Sequence, residues 1–188
     1  MAHSTIYDGE TITRNGRDYK VNFEYYNDMR APWVEYDICG VISERLGSYS
    51  GYRGYSKAPG ERILHSDNGY LWVYDWQATM QKAKTEGWGC DVEKLAKKLG
   101  HAPTKGEILH EAVERDYQFC RGYLTGDWYY VVIRVEDTET GECEYLGGVE
   151  SSDIKYLSEC ALDLIDNMEH ARQREHDGKF STVMAMGV

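Results

Sequence analysis

The sequence predicts an α+β protein in which an antiparallel sheet built from hairpins packs against several helices. Three observations lead there. Asn-Gly pairs at Asn15-Gly16 and Asn68-Gly69 lie between strand-like segments, a strong short-range hairpin signal. Capping residues and glycine stops bracket several helix-like stretches. The resulting order is hairpin, long loop, hairpin, helices, hairpin, helix.

The first hairpin is "ETITR" and "RDYKVNFEYY" around Asn15-Gly16. Period two places Tyr19, Val21, Phe23 and Tyr25 on one face of its second strand, and Lys20, Asn22 and Glu24 on the other. A non-periodic region follows, from about Asn27 to Gly60, with a short strand at "CGVIS". "ERIL" and "YLWVYDW" then form two strands joined through "HSDNG". Asp75 caps a helix that Gly87 stops, and Asp91 and Gly100 bracket a second. Thr104 and Glu107 have the spacing of a capping box and start a third helix, with the stripe Leu109, Val113, Tyr117, Cys120 and Leu124. "WYYVVIRVE" and "CEYLGGVE" pair across "DTETGE". Ser151 or Ser152 caps a last helix running to about Arg174, buried along Ile154, Leu157, Ala161, Leu164, Ile165 and Met168. Glu159, Asp163 and Asp166 fall on its opposite face. Residues 1–176 thus read as one domain, and 177–188, without a clear period, as a mobile tail.

The 188 residues suffice for one sizeable core. No run approaches the roughly 18 apolar residues of a spanning helix, and "MAHSTIYDGE" lacks signal-peptide character. No membrane is therefore expected. Five cysteines, odd in number, widely spaced and without a C-x-x-C, read as reduced thiols of a cytoplasmic protein. The net charge of −11 has a marked distribution. Residues 1–106 carry 14 acidic and 14 basic residues, whereas 107–188 carry 18 and 7. The acidic second half argues against direct nucleic-acid binding, which needs a basic footprint, and for a partner protein with a basic surface. A solubilising role is the alternative.

Enzyme motifs are missing. "HEAVE" has Glu114 where a second zinc histidine is needed, and "EILH" (Glu107, His110) lacks the further motif of a di-iron bundle. There is no nucleophile elbow, P-loop or dinucleotide fingerprint. No metal, no cofactor and no catalytic residue are expected. "NDMRAPWVEYD" is the one acid–aromatic cluster. Its Asp28, Trp33, Glu35 and Asp37 suit sugar binding or acid–base hydrolysis if they line a pocket. "SYSGYRGYSKAPGER" has the Tyr/Ser/Gly composition of antibody-type binding loops, with Tyr49, Tyr52 and Tyr55 as contact area and Arg53 as an anchor. These four, with Glu159, Asp163 and Asp166, are the candidate partner-binding residues.

Taken together, "YDGETITRNGRDYKVNFEYYNDMRAPWVEYD", "PGERIL" and "YDWQATMQKAKTEGWG" resemble an uncharacterised group of small proteins encoded by tailed bacteriophages and prophages. The resemblance covers about residues 6–90. Members carry a Gly-His-Gly-Pro-like stretch where this chain has "DICGVIS", and less sequence between it and Pro-Gly-Glu-Arg. The Tyr/Gly segment is then this chain's own elaboration. The resemblance carries over no residue-level activity. It implies an accessory protein in the bacterial host cytoplasm, and the expected function is non-enzymatic binding and inhibition of a host protein, such as a defence or nucleic-acid-processing complex. The alternative is a small enzyme or ligand-binding protein using the Asp28–Asp37 cluster.

Overall fold

The structure is a computed structural model that describes the backbone of residues 5–35, 39–46, 58–67 and 69–186, with their side chains except those of 46 and 175–186. In chain order the elements are β1 (Thr11–Arg14), β2 (Arg17–Tyr25), α1 (Pro32–Glu35), β3 (Ile42–Leu46), β4 (Glu61–Asp67), β5 (Tyr70–Asp75), α2 (Trp76–Glu86), α3 (Val92–Leu99), α4 (Lys105–Thr125), β6 (Tyr130–Asp137), β7 (Cys143–Glu150) and α5 (Ile154–Met186). The fold class is α+β, with every strand pair antiparallel. The strands do not join one sheet. They divide into a four-stranded sheet of order β1-β2-β6-β7 and a three-stranded sheet of order β3-β5-β4. The chain forms two compact units, Met1–Met29 with Trp128–Val188, and Arg30–Asp127.

The first unit grows from the expected hairpin. Asn15 (φ 51°) and Gly16 (φ 80°) both take the left-handed conformation that a two-residue hairpin turn demands, and Thr11↔Lys20 through Arg14↔Arg17 follow in register. β2 pairs with β6, so Val21 meets Val135 and Phe23 meets Ile133. Tyr19, Val21, Val131, Ile133, Val135 and Val149 bury against Leu157, Cys160, Ala161, Leu164, Ile165 and Met168 of α5. Ile6 completes this core, and its backbone N–H donates to Ser158 Oγ at 2.8 Å.

Three readings of α5 are corrected. Its first turn is capped by Asp153, whose carboxylate accepts from Lys155 N at 3.1 Å and Tyr156 N at 3.0 Å. Ser151 is engaged elsewhere, accepting from Tyr129 N at 2.9 Å. Ile154, expected in the stripe, is 40% exposed. The helix does not stop near Arg174 but continues to Met186, through most of the expected tail.

A polar network closes one side of this unit. Asp137 is fully buried, and its Oδ2 accepts from Arg17 and Arg172, each at 2.9 Å. Its Oδ1 accepts from Glu139 N at 2.9 Å. Burial alone would raise the pKa of this carboxyl. The N–H groups of Glu139 and Thr140 and the Arg17 guanidinium outweigh it and hold the value below the ordinary one.

The second unit obeys its local signals. Asp75 accepts from Ala78 N at 2.9 Å to start α2, and Asp91 from Lys94 N at 3.0 Å to start α3. Thr104 and Glu107 form the reciprocal capping box of α4. β4 and β5 pair with a register shift between Ile63 and His65. The core gathers Cys39, Leu64, Tyr74, Ala83, Val113, Tyr117 and Cys120, with Trp33, Trp72, Trp76 and Trp88 packed at its margin.

Candidate functional site

Tyr49, Tyr52, Arg53, Tyr55 and Asp37 lie outside the described residues. The other expected positions can be placed. Asp28 is exposed at the end of the first unit's N-terminal segment. Trp33 is half-buried on α1, where Pro32 occupies the first helical position. Its ring meets Tyr123 edge-on, with centroids 5.9 Å apart and planes at 88°. Glu35 pairs with Arg30 at 3.1 Å. Trp33 is therefore a packing residue of the second unit, and Glu35 an ion-pair partner.

The acidic stripe on α5 is partly compensated. Glu159 lies 3.7 Å from Lys155, and Asp166 is 3.0 Å from Arg14 of β1. Asp163 points to solvent. The larger electrostatic feature is the division of charge between the units. The first unit carries 18 acidic and 8 basic residues, a net −10, while the second carries 14 and 13, a net −1. Most described bases of the first unit are engaged: Arg14, Arg17, Arg134, Lys155 and Arg172 all pair with carboxylates. The remaining acids project an uncompensated negative field.

The same unit exposes an aromatic corner where β2 ends and β6 begins. Tyr25 and Tyr129 are 61% and 43% exposed, with ring centroids 5.2 Å apart. Their backbones are fixed. Tyr26 N donates to Tyr130 O at 2.9 Å, and Ser151 N donates to Tyr129 O at 2.8 Å. The Tyr26 ring lies over Gly147, where an added Cβ would meet it at 3.2 Å, so the missing side chain makes room for the ring. Tyr145 and Tyr156 add two more exposed tyrosines to this unit. Large, stiff side chains on a pinned backbone lose little entropy on docking.

The sequence showed the signal without its meaning. Successive strand residues point to opposite faces, so a doublet such as Tyr25-Tyr26 or Tyr129-Tyr130 cannot bury both rings equally. Tyr130 is buried and Tyr129 is not; Tyr26 is half-buried and Tyr25 is not.

In the second unit, the motifs that suggested metals have other uses. Glu107 accepts from Thr104 N at 2.7 Å, Glu111 from Lys98 at 2.9 Å, and Glu114 from Arg62 at 2.8 Å. His110 packs on Trp76, with ring centroids 5.3 Å apart, and the Arg62 guanidinium sits 3.5 Å from the Trp76 ring.

The donor set that could hold a metal was not visible in the sequence. The Cys39 and Cys120 thiols and an Asp116 carboxylate oxygen lie within 4.8 Å of one another. Asp116 and Cys120 are one turn apart on α4, whereas Cys39 precedes them by most of the unit. Tyr74 O–H and Gly40 N–H donate to Asp116 Oδ2 at 2.6 and 2.8 Å. A Cβ at Gly40 would sit 2.6 Å from the Tyr74 ring and hydroxyl, so this approach requires glycine. The Cys39 thiol, burial and the Asp116 charge push the Cys120 thiol pKa up. Burial and the bond to Asp116 do the same to the Tyr74 hydroxyl.

Among the described residues, no helix is long and apolar enough to cross a membrane. No family model matches the chain, and no curated protein or solved structure matches it.

Proposed function

We propose that this protein is a non-enzymatic bacteriophage accessory protein that binds, and thereby inhibits, a host protein with a basic surface, such as a defence or nucleic-acid-processing complex. One observation carries the reading: nearly the whole net charge, −10 of −11, belongs to the unit that also exposes the fixed tyrosine pair Tyr25 and Tyr129. A negative field raises the encounter rate with a basic face, and exposed tyrosines supply the desolvated contacts that hold the complex. The phage context rests on the sequence resemblance over residues 6–90. Tyr49, Tyr52, Arg53 and Tyr55 join this reading through their composition alone.

The test is affinity capture from bacterial lysate, with the intact protein beside a Tyr25→Ser/Tyr129→Ser variant. Capture of one basic-faced protein by the intact chain, lost in the variant and at high salt, is the expected result. Retention of the same protein by the double variant in high salt would remove both the field and the tyrosines from the mechanism.

A further inference from the structure

We propose that Cys39, Asp116 and Cys120 form a binding site for one thiophilic divalent cation, zinc foremost, in the second unit. Three features of the geometry lead there. The first is spacing. The Cys120 Sγ to Asp116 Oδ1 distance is 3.9 Å, and all three donors fall within 4.8 Å. Tetrahedral coordination with bonds of about 2.3 Å to sulfur and 2.0 Å to oxygen puts neighbouring donors roughly 3.5–3.8 Å apart. Rotamer adjustments of less than about an ångström therefore close the donor triangle on an ion.

The second is the division of labour at Asp116. Oδ2 is held by Tyr74 O–H and Gly40 N–H, which fixes the plane of the carboxylate and turns Oδ1 towards the Cys120 sulfur. Hydrogen-bonded orientation of a ligating carboxylate through its other oxygen is the usual arrangement around a bound metal. The third is chemical. Buried thiols alone pack as small apolar groups, and Cys39 and Cys120 are 3% and 0% exposed. The Asp116 carboxylate beside them accepts a weak S–H bond from Cys120 at Oδ1, and a dication is the stronger partner for that oxygen and the two sulfurs together.

On binding, each thiol gives its proton to solvent, and the ion takes two thiolates, one carboxylate and a water. The net charge of the centre is then −1. Lys82, whose ammonium donates to Cys39 O at 2.8 Å, is the cation nearby. The ion would clip the segment before β3 to α4. This site is independent of the binding surface on the first unit.

The test is zinc content and zinc X-ray absorption of the full chain, expressed in zinc-supplemented medium and purified with reductant and without chelator. The expected result is one zinc per chain with two sulfur neighbours at about 2.3 Å and oxygen neighbours at about 2.0 Å. Cys39→Ser should abolish this content, Cys90→Ser should leave it intact, and Tyr74→Phe should weaken affinity about 10- to 100-fold. A zinc-free protein, zinc without sulfur neighbours, or a Cys39–Cys120 disulfide in place of bound metal would overturn the proposal. The intact protein's absorption spectrum decides even if Cys39→Ser fails to fold.

Discussion

Asp137 shows how single residues hold the first unit together. Its carboxylate has no access to water, and its charge is balanced by Arg17 and Arg172, both of which keep partial solvent contact. Removing the acid leaves two guanidinium groups facing a buried gap. Asp137→Ala is expected to cost about 3–5 kcal/mol, towards the lower end because both arginines can turn to water. The pH dependence has a definite sign. A carboxyl whose folded pKa is depressed contributes stability that is complete above its unfolded value, near 3.9, and is lost as pH falls through the folded value. Urea midpoints measured between neutral pH and about pH 3 should fall more for the intact protein than for Asp137→Ala. Parallel curves would show that the ion pairs add nothing.

At the scale of elements, α5 is the sharpest case. Leu164 and Asp163 are neighbours in sequence but sit about 100° apart around the helix, which is enough to put one in the core and the other in solvent. Leu164→Ala should cost about 2–5 kcal/mol, and Asp163→Ala less than about 0.5, in denaturant unfolding. Similar small effects would mean that α5 does not pack with this face inward. The elements that were legible are those with local causes: the Asn15-Gly16 turn, the caps at Asp75, Asp91 and Thr104, and the stripes of α4 and α5. What was not legible depends on distant partners. β2 finds β6 more than a hundred residues away, so nothing near either strand announces two sheets in place of one. The cap of α5 fell to Asp153 because Ser151 is drawn to the Tyr129 backbone. At four residues, α1 is too short to show a helical period. The candidate sites follow the same rule. Asp163 is exposed, as the phase of the helix alone requires. The pairing of Asp166 with Arg14, the meeting of Tyr25 with Tyr129, and the approach of Cys39 to Asp116 and Cys120 all require the fold.

At the scale of the whole molecule, the chain divides into two compact units of different charge. The second unit, nearly neutral, is inserted in sequence between β2 and β6 and carries the Cys39–Asp116–Cys120 donor set. The first unit, assembled from both ends of the chain, carries nearly all of the net charge and the exposed pair Tyr25 and Tyr129. Along the sequence the excess lies after residue 106. The structure adds the N-terminal segment Met1–Met29 to the same unit, with its Asp8, Glu10, Asp18, Glu24 and Asp28. We propose that this unit steers towards a basic surface and anchors there through tyrosine. The most direct measurement is the association and dissociation kinetics of the captured host partner at low and high ionic strength, for the intact protein, Asp163→Lys and Tyr25→Ala. Steering predicts an on-rate that falls steeply with salt, a slower on-rate for Asp163→Lys at low salt, and a faster off-rate with little change in on-rate for Tyr25→Ala. An on-rate indifferent both to salt and to the reversed charge would contradict the account and leave the acidic surface as a solubility device.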